Sequence, residues 1–269
     1  MPAHASLWEL LQKDLDAAEQ SQAQDTAQDA ALQTEALREG SKDLFPAFPV
    51  EVKGALEGRK EERVGEFVSA TINGKTVVFH DTPIKEWFGP YVRTMAERGV
   101  VGGYNDASGN PLGEFRPAHA VSLEEMAKIL VSLTGGVTDR CSKTSLNLSA
   151  SGSWSSAFIA CAESSRWVIF SDGTVDVKRQ ATRAEVMISV LQAYKKEPGQ
   201  PMGGVFKDVP ISLPFASAIE MAHADGIVIG YTDAQGNATG MFGPGASVTR
   251  AELVKILTLA NETYGAKPK

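Results

Sequence analysis

Residues 206–257 read FKDVPISLPFASAIEMAHADGIVIGYTDAQGNATGMFGPGASVTRAELVKIL. Residues 79–130 read FHDTPIKEWFGPYVRTMAERGVVGGYNDASGNPLGEFRPAHAVSLEEMAKIL. The two stretches lie 127 residues apart, align without a gap and agree at 21 of 52 positions. The agreement falls where backbone geometry is demanding: Phe79/Phe206, Asp81/Asp208, Pro83/Pro210, Gly99/Gly226, Gly103/Gly230, Tyr104/Tyr231, Gly113/Gly240, Phe115/Phe242 and Pro117/Pro244. Chance would not select glycines, prolines and aromatics. The chain carries an internal repeat, and a repeat decides the architecture before any local reading does.

A third, shorter copy lies between them. Ala181-Thr182-Arg183-Ala184-Glu185 matches Val248-Thr249-Arg250-Ala251-Glu252, and the first copy has Val121-Ser122-Leu123-Glu124-Glu125 there. Trp154 through Val168 aligns more loosely with Trp87 through Val101, so Trp154 corresponds to Trp87, while the last copy has Pro214. The middle copy lacks the Gly-Tyr…Phe-x-Pro segment and has only Phe170-Ser171-Asp172-Gly173.

Each copy reads as helix, loop and helix. Pro83 to Arg98 is expected to be the first helix, with Ile84, Phe88, Tyr91, Val92 and Met95 on its apolar face and Gly99 as a left-handed cap. The second helices open at Ser122, Thr182 and Thr249, each with a glutamate three residues on: Glu125, Glu185 and Glu252. That is a capping box in all three copies. Free N–H groups in the first turn, the helix dipole and the adjacent Arg183 or Arg250 together suit a small anion such as a carboxylate. The same pattern is also satisfied if Thr and Glu only start the helix and the arginine pairs with a nearby acid.

These residues resemble the S-layer homology family. Its marks are Phe-x-Asp-x-Pro at the start, Gly-(Val/Ile)-(Val/Ile)-x-Gly-Tyr after the first helix, Phe-x-Pro closing the loop, and Thr-Arg-Ala-Glu opening the second helix. The resemblance covers about residues 79–260. It implies a mainly α fold: three helix-loop-helix repeats in a pseudo-threefold bundle with grooves between neighbours. It also implies non-covalent anchoring of an exported, S-layer-type surface protein to an anionic secondary cell-wall polysaccharide, often pyruvylated. The family's arginine contact for that glycan carries onto Arg183 and Arg250, not onto Leu123. Asp81 and Asp208 can accept hydrogen bonds from sugar hydroxyls or hold a turn. Tyr104, Tyr231, Trp87 and Trp154 can stack on a sugar ring or pack in the core.

Composition fits a soluble globular protein with a sizeable core. The chain has 269 residues, 43% hydrophobic and 22% charged, with a net charge of −7. Residues 1–62 hold 13 acids and 6 bases, and residues 63–269 hold 20 of each. The repeats are thus neutral, and neither part offers the basic stripe a nucleic-acid partner needs. No apolar run is long enough to insert into a membrane, and the start, MPAHASLWELL, lacks the layout of a signal peptide. Cys141 and Cys161 are the two cysteines. Spacing leaves them either reduced or bonded, and the export that the resemblance implies favours a disulfide. The four histidines have no ligand spacing with them, so no metal or cofactor is expected. Residues 105–110 and 232–237 read as hairpin turns rather than calcium loops, because the oxygen spacing does not fit an EF-hand. No nucleophile elbow or phosphate loop points to an enzyme.

Ahead of the repeats, Leu7, Leu11, Leu15 and Ala18 mark a helix over 6–20, continuing in Ala, Gln, Asp and Glu to 37. Residues 40–58 read as a linker in which Phe45 and Phe48 can dock on a neighbour. Val64–Ile72 and Lys75–Phe79 bracket Asn73-Gly74 as a β-hairpin. The expected organisation is therefore 1–62 helical segment and linker, 63–78 hairpin, 79–135 first repeat, 136–197 shortened repeat and 198–269 last repeat. The alternative function is a structural protein–protein module without glycan binding, self-associating through the N-terminal helix. A calcium-dependent assembly domain is a third reading.

Overall fold

A computed structural model of the chain describes residues 66–72, 74–135, 141, 142 and 144–265. All belong to one compact unit, Leu44–Lys269. The expected N-terminal helix, the linker with Phe45 and Phe48, and Asn73 of the hairpin turn lie outside the described residues. Within them are six α-helices and one two-stranded antiparallel hairpin, a mainly helical protein.

The hairpin pairs β1 (Phe67–Ile72) with β2 (Lys75–Pro83). Alternate residues Val68, Ala70, Val77 and Phe79 turn inward and are buried, as the period of a strand requires. β2 runs past Phe79, where the strand was expected to stop, to Pro83. The register slips between Phe67 and Val68, so that Phe67 faces Pro83. The Ile84 N–H then bonds to the Glu66 carbonyl (2.9 Å). Those bonds hold Pro83 and Ile84 in the hairpin, so the first helix starts later than the apolar pattern suggested.

That helix, α1 (Gly89–Glu97), begins after a turn that brings Gly89 against the chain; a Cβ there would sit 2.8 Å from the Ile84 carbonyl oxygen. Pro90 occupies the first turn, where its missing N–H costs nothing. Gly99 (φ +70°) closes the helix. The corresponding helices are α3 (Ser156–Ser164) and α5 (Ala216–Ala224). The second helices are α2 (Leu123–Leu133), α4 (Arg183–Ala193) and α6 (Arg250–Tyr264), each opened by a complete capping box at Ser122/Glu125, Thr182/Glu185 and Thr249/Glu252.

The helices pack across segments rather than within them. α2 lies against α3, α4 against α5, and α6 against α1. At the centre the residue two places before each helix bonds to a neighbour. The Val121 N–H donates to Val248 O (2.9 Å), Val248 N–H to Ala181 O (3.2 Å), and Ala181 N–H to Val121 O (2.8 Å). The three bonds close a ring among buried residues. Around it Met95, Phe79, Phe115, Phe170, Phe242, Leu130, Leu191 and Leu257 fill one continuous core. Cys141 and Cys161 form a disulfide that ties the start of the middle segment to α3.

Candidate functional site

The starts of the second helices do not present free N–H groups, contrary to what the capping pattern suggested. Arg250 N–H donates to His119 O and Ala251 N–H to Pro117 O (2.9 and 3.0 Å). Arg183 N–H reaches Ala246 O and Ala184 N–H reaches Pro244 O. Leu123 N–H and Glu124 N–H reach Arg179 O and Val177 O. Each first turn is thus satisfied by carbonyls from the next segment. The groups that could have held an anion join the segments instead.

The arginines complete the same joint. Arg250 (6% exposed) donates from Nε to Phe115 O (2.8 Å), and its Nη1 lies 3.5 Å from Glu125. Arg183 (1% exposed) donates from Nε to Phe242 O (2.9 Å) and from Nη1 to Glu252 (3.1 Å). The guanidinium groups also lie over aromatic rings, Arg250 over Tyr104 and Phe115, Arg183 over Tyr231 and Phe242. Each capping glutamate therefore has two tasks. Glu125 Oε2 accepts from its own Ser122 N–H (3.0 Å), and Oε1 faces Arg250 and accepts from the Tyr104 hydroxyl (3.1 Å). Glu252 divides its oxygens in the same way between Thr249 and Arg183.

One open cleft of about 770 Å³ results. Its walls come from all three segments: Gly103, Tyr104 and Asp106 of the first loop, Glu124 and Lys128 on α2, Trp154 before α3, and Arg250 on α6. Trp154 is 57% exposed, so its ring presents a flat apolar face to whatever enters. Lys128 is largely buried, and that burial holds its pKa below the usual lysine value. Arg250 pushes it the same way and Glu125 opposes. Burial raises the Tyr104 phenol, which keeps it neutral and able to donate.

The remaining expected residues are placed elsewhere. Asp81 accepts from the Phe115 and Arg116 N–H groups (2.9 and 2.6 Å), and Asp208 from Phe242 and Gly243 (2.8 and 2.7 Å). These two carboxylates hold each loop against the strand or chain that begins its segment. They are outside the cleft. Trp87 is partly buried beside Lys255, whose ammonium lies 5.6 Å from its ring and 5.8 Å from Tyr91. Burial drives the Lys255 pKa down to about 8, against the pull of Glu252. Asp106 and Asp233 each accept the N–H of the residue four places on, Asn110 or Asn237, and close small hairpin turns. Sequence reasoning missed Lys128, Lys255 and Arg179. The first two were visible as a matched pair among the repeat identities, five residues into the second helix.

Comparison with known families is specific at this point. Residues 78–127 and 205–254 each match the S-layer homology domain. Residues 136–197 lie outside both matches, and no curated protein matches the chain. S-layer homology domains anchor surface proteins to the cell wall, and they are not an enzyme family. The match implies a cell-surface or cell-wall location. Among the described residues no helix is long and apolar enough to cross a membrane.

Proposed function

We propose that this chain anchors a surface protein to an envelope polysaccharide, and that the cleft between α2 and α3 takes a segment of that glycan. The observation that carries the proposal is the wall of the cleft in a chain twice matched to an anchoring family. An exposed indole, two cations and several carboxylate and hydroxyl acceptors line it, on α2, α6, the first loop and the turn before α3. Stacking of an apolar sugar face on Trp154, with hydrogen bonds to ring hydroxyls from the polar wall, is the usual chemistry of a sugar site. The cations Lys128 and Arg250 would receive an acidic substituent such as a ketal carboxylate. Arg250 does so from the cleft wall. Arg183 takes the matching place at the α6–α1 junction, beside Tyr231 and Glu252. The three copies form a pseudo-threefold bundle in this reading, supported by the closed ring through Val121, Ala181 and Val248.

The test is co-sedimentation with cell-wall sacculi of the source organism, with and without their polysaccharide stripped. Wild type is expected to bind intact walls and not stripped ones. Trp154→Ala is expected to weaken binding about tenfold or more with an unchanged melting temperature, because its side chain is exposed. Equal binding to stripped walls sinks the polysaccharide reading. A folded protein that ignores intact walls favours a protein–protein module.

A further inference from the structure

The cleft beside α2 is one of three places where a second helix meets the first helix of the next segment. Its four defining residues can be followed to the other two. The α6–α1 junction repeats them all: Arg183 for Arg250, Tyr231 for Tyr104, Lys255 for Lys128, and Trp87 for Trp154. Arg183 Nη2 is buried there without a hydrogen-bond partner, while Nε and Nη1 of the same guanidinium are held by Phe242 O and Glu252.

The α4–α5 junction has lost every one. Leu123 stands for the arginine, Ile188 for the lysine and Pro214 for the tryptophan, and the Gly-Tyr loop is missing. These losses are scattered in the sequence. Leu123 is in the first segment, Ile188 and the missing loop are in the middle one, and Pro214 is in the last. Only the packing of α4 on α5 gathers them at one junction. The fold there is nonetheless intact. Glu185 still caps α4, and its carboxylate is taken by Arg179 of its own segment through both guanidinium nitrogens (2.9 Å from Nη1). Leu123 is fully buried. The junction is therefore an internal control: it shows that helix packing and capping do not need the Arg, Lys, Trp and Tyr set.

We infer that the set is kept at the other two junctions for a ligand, so that the chain has two glycan-binding grooves, at α2–α3 and α6–α1, and a silent third at α4–α5. This rests on the anchoring reading above and adds the number and placement of its sites. Two sites on one rigid unit bind a repeating polymer with avidity that neither has alone.

The test counts bound ligand by native mass spectrometry and titration calorimetry, using secondary polysaccharide fragments released by muramidase digestion of the source organism's walls, which leaves acid-labile ketals in place. Two fragments per chain are expected. Trp154→Ala is expected to leave one, Lys255→Gln combined with Trp87→Phe to leave one, and all three changes to leave none. Ile188→Ala is expected to leave both. A single fragment per wild-type chain, or a third, overturns the two-groove assignment while sparing the anchoring reading. A folded chain that takes up no fragment overturns both.

Discussion

Lys255 shows what one residue contributes in this protein. Its ammonium is packed among Trp87, Tyr91 and the carboxylate of Glu252, and burial is the larger influence, so it titrates near 8. An unfolded lysine titrates near 10.4. Between those values the unfolded chain binds more protons than the folded one, so this residue's contribution to stability rises with pH across about 8 to 10. Below 8 the folded state carries the cost of a partly desolvated charge. Lys255→Met is therefore expected to raise the melting temperature at pH 7. The gain should shrink steadily as melts are repeated toward pH 10. A gain that does not change with pH would show that packing, not charge, is responsible. Lys255 was legible as a repeat identity. Its burial was not, because α1, which covers it, precedes it by more than 150 residues.

At the scale of elements the capping boxes and the disulfide carry the structure. Ser122, Thr182 and Thr249 with their glutamates were readable because a cap is local chemistry, complete within four residues. What lies beyond the cap was not readable. The second oxygen of Glu125 or Glu252 belongs to a neighbour's arginine, and the first-turn N–H groups belong to a neighbour's carbonyls. The middle segment is shorter and lacks the loop that Asp81 and Asp208 fasten in the others. Here Glu163 takes over, accepting from Leu146 N–H (2.8 Å) and Ser145 Oγ (2.9 Å), and the Cys141–Cys161 bond spans 20 residues beside it. Closing a loop of that size stabilises by about 3 kcal/mol in the chain-entropy model. The Cys141→Ser/Cys161→Ser double variant is expected to lose about that much in urea unfolding while its circular dichroism stays that of the wild type. A loss below about 1 kcal/mol would place the stability of this segment in the core instead.

For the whole molecule the decisive feature is closure. Each second helix is completed by the carbonyls of another segment and packs on the first helix of the next, and α6 returns to α1. A chain cut after residue 197 would leave Val121, Arg183 and Ala184 N–H without acceptors and the face of α1 uncovered. It is expected to lose its helical signal and its cooperative melt. Retention of a sharp transition by that fragment would show that two segments suffice. The same closure explains why Tyr104, Trp154 and Arg250, each singled out in the sequence, could not be assembled there into one site with Lys128. The cleft wall draws residues from positions 101 to 250, and no linear pattern ranks Trp154 and Lys128 together.

The sequence by itself determined the repeat, the helix starts, the chain reversals at glycine and the family marks. Each of these depends on backbone geometry within a few residues. Only the tertiary structure decided that the arginines are joints between segments. It also decided that Asp81 and Asp208 hold loops, and that one junction has shed its whole polar set while two retain it. Those facts depend on which helix packs against which, and packing is set by burial across the ring rather than by neighbours in the chain.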